Sequence, residues 1–372
     1  MKDLFIGFTS FSWQSAVMIV VGLVLIWLAI KKEYEPLLLL PIGFGTILVN
    51  LPLSVVLEHE GISGFLKILF DAGITTELFP ILIFIAVGAM CDFTPMFKQP
   101  VMMFFGVAAQ FGIFATIIVA SFLGFDFKTA SSIGIIGAAD GPTAIYVASR
   151  FAKDYLGPIS VAAYSYMSLV PLIQPVVIKS LTTKNERRIR MAKIDKTVPA
   201  SLRIGFPIIV TIITGFIAPM SVPLIGSLMF GNLLKESGVV ERLSKTAQNE
   251  LGSIATLLLG ITIGSTMQAE KFLNISTLKI LGLGLIAFIF DTAGGVLFAK
   301  FLNLFIKDKI NPMIGAAGIS AFPMSARVIQ KMAIDEDPGN FLIMQAVSAN
   351  VSGQLGSVIA GGLVLALVPI LL

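Results

Sequence analysis

Asp140 is a lone carboxylate inside an apolar segment, Thr129-Ala-Ser-Ser-Ile-Gly-Ile-Ile-Gly-Ala-Ala-Asp-Gly-Pro-Thr-Ala-Ile-Tyr146. Gly134 and Gly137 precede it and Gly141-Pro142 follows at once. Glycine and proline both discourage a continuous helix here. Inside a membrane, a helix break frees carbonyls and amides, which is tolerated only where they line a cavity. An ionisable residue at such a break is a functional candidate. One carboxylate among neutral oxygens suits a hard monovalent cation such as Na⁺, and the same carboxylate can take a proton. The plainer role is a helix cap that satisfies free amides of the following half-helix; the two roles can coexist.

A second break carries a different set. Gly134-x2-Gly137-x4-Pro142 recurs as Gly315-x2-Gly318-x4-Pro323. Around it stand Asn311, Gly315, Ser320 and Ser325, with Arg327 just after Pro323. The helix after the first break adds Tyr166; the helix after the second adds Asn350 and Ser352. These amides, hydroxyls and free carbonyls complete a set of oxygen ligands for the charge on Asp140. A guanidinium at Arg327 must face a cavity, a partner or the interface. Its fork suits a carboxylate; the plainer role is a chain that snorkels to the surface. Arg150 and Lys331 read as interfacial anchors, and Asp92 as a structural helix end. Asp291, in Phe290-Asp-Thr-Ala-Gly-Gly295, is deeper and is a possible second polar position.

Elements that could hold such residues must be membrane helices. Hydrophobic residues make up 56% of the chain and charged ones 13%, about half the charged share of a soluble domain. The long continuous apolar runs exclude a β-barrel, whose segments are short and alternating. They predict an all-α polytopic protein of about ten crossings. Trp13–Ile30 is long enough to span, has no small-residue cleavage site before Lys31-Lys32, and reads as a retained first helix; Phe65–Phe70 is short and interfacial. The single Cys91 excludes an intramolecular disulfide, and the lone His59, in Glu58-His59-Glu60, argues against a histidine metal site. A net charge of +4 belongs to loops and not to a nucleic-acid surface. The most basic loop, Lys184 to Arg203, carries Lys184, Arg187, Arg188, Arg190, Lys193, Lys196 and Arg203 against Glu186 and Asp195. Its charge places it in the cytoplasm, either as a solvated loop or as a docking surface for a soluble partner.

The breaks belong to an internal repeat. Arg150-Phe-Ala152 falls opposite Lys331-Met-Ala333, Tyr164-Ser-Tyr166 opposite Ser348-Ala-Asn350, and Ile85-Ala-Val-Gly88 opposite Ile261-Thr-Ile-Gly264. The chain divides into N-terminal membrane segments at 1–76, a first repeat at 77–181, a connecting region with the basic loop at 182–250, and a second repeat at 251–372. Paired broken helices in two halves are the pattern of a repeat-built transporter with its site near midplane.

Gly134-Ile-Ile-Gly-Ala-Ala-Asp-Gly-Pro-Thr-Ala-Ile145 resembles the signature of the beta subunit of biotin-dependent, sodium-pumping decarboxylases. So do Val161-Ala-Ala-Tyr-Ser-Tyr-Met-Ser-Leu-Val-Pro-Leu-Ile-Gln-Pro175, Asn311-Pro-Met, Ser320-Ala-Phe-Pro-Met-Ser-Ala-Arg327 and Ala349-Asn-Val-Ser-Gly353. The resemblance implies two repeats of opposite orientation whose broken helices meet at a midplane ion site. It implies decarboxylation of carboxybiotin coupled to Na⁺ export from a bacterial cell, in the inner membrane. Residues tied to sodium binding and coupling map onto Asp140, Tyr166, Asn311, Gly315, Ser320, Arg327 and Asn350. Asp140, Tyr166 and Arg327 are the expected catalytic set, and Arg327 with Ser320 the carboxybiotin contact. Tyr166 is expected near Asp140, and Asn350 near Ser320. With no biotin-accepting Met-Lys-Met motif in the chain, biotin comes from a partner. The implied partners are an alpha carboxyltransferase, a biotin carrier protein, a small single-span gamma or delta subunit and further copies of this chain. A secondary transporter with no enzymatic step, such as a Na⁺/H⁺ antiporter or a Na⁺-coupled carboxylate carrier, is the alternative.

Overall fold

The structure, a computed structural model, describes residues 11–33, 35–52, 56–59, 61–192 and 197–371. Among them the chain is helical, apart from a two-residue antiparallel ladder pairing Glu58 with Ser63 and His59 with Ile62. Glu60, Lys193, Asp195 and Lys196 of the sequence reading lie outside the described residues.

The chain opens with α1 (Trp13–Lys31) and α2 (Pro36–Asn50). A short helix at Phe65–Leu69 leads through a bend of 59° into α3 (Leu78–Met90). Next come α4 (Met103–Ala108) and α5 (Phe111–Phe122), joined at Ala109-Gln110. The first broken segment follows as α6 (Phe127–Gly134) and α7 (Gly141–Phe151), then α8 (Leu156–Ser168) and α9 (Val170–Leu181). Beyond the basic loop come α10 (Ala200–Ile217), α11 (Val222–Glu236), α12 (Gly252–Ser265) and the long α13 (Ile275–Phe305). The second broken segment is α14 (Met313–Ala316) and α15 (Met324–Glu336), and α16 (Ile343–Leu371) closes the chain.

Five helices are long and apolar enough to cross a membrane, and up to seven if each bent pair counts as one span. The lipid-facing character is plainest in α10, which buries only Pro207 and exposes Phe216 and Ile217. Helices with apolar surfaces all round gain little by leaving lipid for protein, so close packing of small residues carries their association. Gly295 on α13 shows this: its backbone lies directly against Gly315 of α14, and a Cβ on either would enter the other's main chain.

Both breaks expected from glycine and proline are present. After α6 one 3₁₀ turn runs Ile135–Ala138. Ala139 then takes a left-handed conformation (φ 52°) and Asp140 an extended one, before α7 starts with Pro142 in its first turn. Proline fits there because that N–H has no intrahelical acceptor. In the second segment α14 ends at Ala316 and regular helix resumes only at Met324, past Pro323. The turn at Ala139 frees the carbonyl of Ala138, which accepts from the Ser320 amide at 2.9 Å. The two breaks therefore touch through their own backbones.

The basic loop is exposed to solvent at Lys184, Arg188 and Arg190, as its charge suggested, and it is also anchored. Thr183 and Glu186 form a capping box at its start. Arg187 pairs with Glu336 at 2.6 Å, and Arg190 grips Asp337 with two bonds of 2.7 and 2.8 Å. Lys300 of α13 reaches Glu186 at 3.1 Å. The loop is thus stitched to the ends of α15 and α13. The Arg190 guanidinium and the Gly339 amide hold the Asp337 carboxyl down at about 2. A depressed carboxyl contributes above its unfolded value and loses the contribution only as pH falls through the folded one. The attachment should therefore be indifferent to pH from about 5 to 9. Removing the shielded partner in Arg187→Ala should cost about 2 kcal/mol and speed hydrogen exchange at residues 186–190. Unchanged exchange there would mean that the pair does not hold the loop.

Candidate functional site

Asp140 is 3% exposed and stands where the breaks cross. Its two oxygens have different work. Oδ1 accepts from the Thr143 amide at 3.2 Å, which makes Asp140 the N-cap of α7. Oδ2 accepts from Ser320 Oγ at 3.1 Å, Gln354 Nε2 at 3.0 Å and Ser357 Oγ at 2.6 Å. The capping role is thus real, and it uses only half the carboxylate. The other half gathers one hydroxyl from the second break and two polar groups from α16. Among the described residues no cation pairs with Asp140, so its charge is held only by dipoles.

The second break is built in the same way without a charge. Gln174 of α9 reaches it, donating from Nε2 to the Ala316 carbonyl at 2.8 Å. Ser325 Oγ donates to Gln174 Oε1 at 2.9 Å. A glutamine from the last helix of each half therefore reaches the break of the other half. Ala321 occupies the position that the glycine and proline spacing matches to Asp140. All charge at the crossing is consequently on one side.

The expected site residues separate into those at the crossing and those elsewhere. Ser320 meets Asp140 directly. Asn350 lies beside it, donating from Nδ2 to the Ile319 carbonyl at 2.7 Å; its Oδ1 is buried with no partner among the described residues. Gly315 is a packing contact, set against Gly295. Asn311 is spent on the basic loop, donating to the carbonyls of Arg187 and Ile189 at 2.8 and 2.9 Å. Ser352 donates to the Met103 carbonyl at 2.7 Å, away from Asp140. Tyr166 flanks the first break beside Ile136 and Gly284, but its hydroxyl donates to the Leu281 carbonyl on α13. The tyrosine beside Asp140 is Tyr164, whose ring covers Gly141. Arg327 is exposed, with no ion pair among the described residues; it lines a cleft of about 340 Å³ with Gln330, Lys331, Ile334, Asp335 and Ile343. Arg150 pairs with Glu77 and lies over the Tyr146 ring, so it is more than an interfacial anchor.

Gln354 and Ser357 escaped the sequence reading although a signal was present. Residues three and four apart share one helix face, so Asn350, Gln354 and Ser357 form a polar stripe in an apolar helix. Ser352, two positions from Asn350, must point to a different face.

The chain matches the family of the Na⁺-transporting oxaloacetate decarboxylase beta subunit over residues 14–368. It is 51% identical to the glutaconyl-CoA decarboxylase subunit beta of Acidaminococcus fermentans, covering 97% of this chain and 95% of that one. It is 49% identical to the methylmalonyl-CoA decarboxylase subunit beta of Veillonella parvula, with the same coverage. The oxaloacetate decarboxylase beta chain of Klebsiella pneumoniae is 44% identical, with 94% of each chain covered. Matched in this way along nearly its whole length, the chain belongs to the beta-subunit family of Na⁺-transporting decarboxylases.

Proposed function

We propose that this subunit decarboxylates carboxybiotin and couples that step to Na⁺ export, with Asp140 as the charged Na⁺ ligand. The observation that carries this reading is a buried carboxylate at the crossing of two broken helices, with three polar side chains converging on one oxygen. Each of the three can also offer oxygen. The Ser320 and Ser357 hydroxyls accept as well as donate, and a rotated Gln354 amide presents its carbonyl. A Na⁺ entering beside Oδ2 would meet one negative charge and up to three neutral oxygens. Asn350 Oδ1 is a further neutral oxygen beside the second break.

Decarboxylation breaks the N–CO₂ bond of carboxybiotin, releases CO₂ and leaves a ureido nitrogen that takes up a proton. The biotin comes from a carrier protein loaded by an alpha carboxyltransferase, and a small single-span subunit helps assembly. Arg327, exposed and with no ion pair among the described residues, can receive the incoming carboxylate. The two halves are repeats of opposite orientation, in about ten crossings of a bacterial inner membrane, and more than one copy assembles in the complex. The relatives act within decarboxylases named for three different parent acids, which fits a subunit that meets only carboxybiotin.

The deciding experiment is CO₂ release from carrier-bound carboxybiotin by the purified complex, with and without Na⁺. Release independent of both this subunit and Na⁺ would overturn the reading. Ser357→Ala tests the geometry: losing the shortest bond to Oδ2 should raise the Na⁺ requirement about tenfold, the worth of one hydrogen bond to a charged group. An unchanged requirement would remove Ser357 from the site.

A further inference from the structure

We propose that the chain holds one anionic phospholipid, with its phosphate in a basic cleft at the end of α13 and an acyl chain in an apolar groove deeper along the same helix. The cleft, of about 830 Å³, lies where three segments meet: the turn at 98–102, the basic loop at 189–192 and the stretch at 306–310 that follows α13. Lys98, Arg190, Lys307 and Lys309 line it, with Asp308 the one acid in the lining. Arg190 is already held by Asp337. Four cations against these two acids leave two positive charges in excess. The side chains of Lys98 and Lys307 make no hydrogen bond or ion pair among the described residues. Lys309 donates to the carbonyls of Asn303 and Ile306 at 2.5 and 2.9 Å, which fixes its charge at the rim without a carboxylate. Gln99 lines the same cleft, 9% exposed, and its Oε1 has no partner among the described residues; a hydroxyl of a lipid headgroup would supply one.

The surroundings select a lipid over a soluble anion. The cleft sits at the ends of two helices long and apolar enough to cross a membrane: α13, and the span that runs from Pro100 through α4 and α5 to Phe122. Between the same two elements lies a second groove of about 470 Å³, lined by Val107, Phe111, Phe114, Gly294, Leu297 and Phe298. It is five to eight residues further in, about 8–12 Å of helix. Phe104, Leu304 and Phe305 are exposed at the level between them. Cations above and an apolar crevice below match a single molecule with a phosphate and long chains, whereas a free phosphate would leave the crevice empty. The cleft also shares its level with the basic loop, whose charge places it on the cytoplasmic side. Anionic lipid on that side attracts basic segments, and basic pockets between membrane helices take lipid headgroups there. A lipid so held would join the basic loop, through Arg190, to the stretch that leads into the second broken segment.

Thermal unfolding and native mass spectrometry of the purified, delipidated complex in detergent test this. Dioleoylphosphatidylglycerol should raise the unfolding temperature and stay bound at one molecule per chain. Dioleoylphosphatidylcholine, with the same chains and no net charge, should do neither. Each lysine beside an anionic headgroup is worth roughly fivefold, so Lys98→Gln combined with Lys307→Gln should raise the phosphatidylglycerol concentration needed about 30-fold. Neither lysine has an internal partner to lose, so unfolding without lipid should not change. Leu297→Trp fills the groove, leaves every cation in place and should weaken the same effect. Equal effects of the two lipids overturn the inference, as does phosphatidylglycerol binding that neither the lysine pair nor Leu297→Trp alters. Equal stabilisation by inorganic phosphate would make the cleft a phosphate site, and a photo-cross-linker at position 297 that captures a partner subunit in place of lipid would make the groove a protein contact; either result also overturns it. If the variants do not assemble, the comparison of the two lipids on the wild type decides.

Discussion

Asp140→Asn should abolish Na⁺-dependent decarboxylation and Na⁺ transport together, each falling about 100-fold or more. The substitution isolates charge. Asparagine is as good an N-cap as aspartate, so the bond from the Thr143 amide and the start of α7 survive. The Ser320 and Ser357 hydroxyls can turn to accept from the new amide, and Gln354 can rotate. What is lost is the negative charge on Asp140 itself. A hydrogen bond to a charged group is worth up to about 3 kcal/mol, which corresponds to roughly 100-fold in an equilibrium constant. CO₂ release and ²²Na⁺ uptake into proteoliposomes, measured on one preparation, give both numbers. If the Asn variant pumps with an unchanged Na⁺ dependence, Asp140 only caps α7.

The breaks were legible because their causes are local. Glycine and proline act on their own backbone, so their spacing placed both interruptions before any tertiary contact was known. The lone carboxylate was legible for the same reason: an aspartate among apolar residues needs no partner to be conspicuous. Rotational phase was less so. On the helices after the breaks the sequence singled out Tyr166, Asn350 and Ser352, while the structure turns Tyr164 toward Gly141 and presents Gln354 and Ser357 to Asp140. A helix turns by about 100° per residue, so an error of two positions moves a side chain to the opposite face.

Partners far along the chain were not legible at all. The acids that pin the basic loop, Glu336 and Asp337, lie about 150 residues downstream of their arginines. Asn311 looked like a site ligand because it stands near a break, yet its amide holds the carbonyls of Arg187 and Ile189. Only the fold brings these segments together. Asp291 shows the converse: sequence marked it as deep and polar, but its bare oxygen against Gly137 needed coordinates.

Arg327→Ala should raise the concentration of carrier-bound carboxybiotin needed for half-maximal CO₂ release about 10- to 100-fold, while thermal stability stays unchanged. The two halves of that expectation have separate grounds. Arg327 is exposed and has no ion pair among the described residues, so its removal breaks no salt bridge there, and surface substitutions of this kind cost little. A carboxylate delivered from outside would find there a planar fork of donors, two of which fit its two oxygens. Losing a charge-assisted contact worth about 1.5–3 kcal/mol gives the stated range. Arg327→Lys separates recognition from charge. Lysine keeps the positive charge and loses the paired geometry, so it should recover only part of the affinity, whereas a chain that merely snorkels to the interface would accept lysine fully. Turnover near wild type in Arg327→Lys, with Arg327→Ala impaired, would leave a general electrostatic role. Normal turnover in both would move carboxybiotin recognition off α15 altogether.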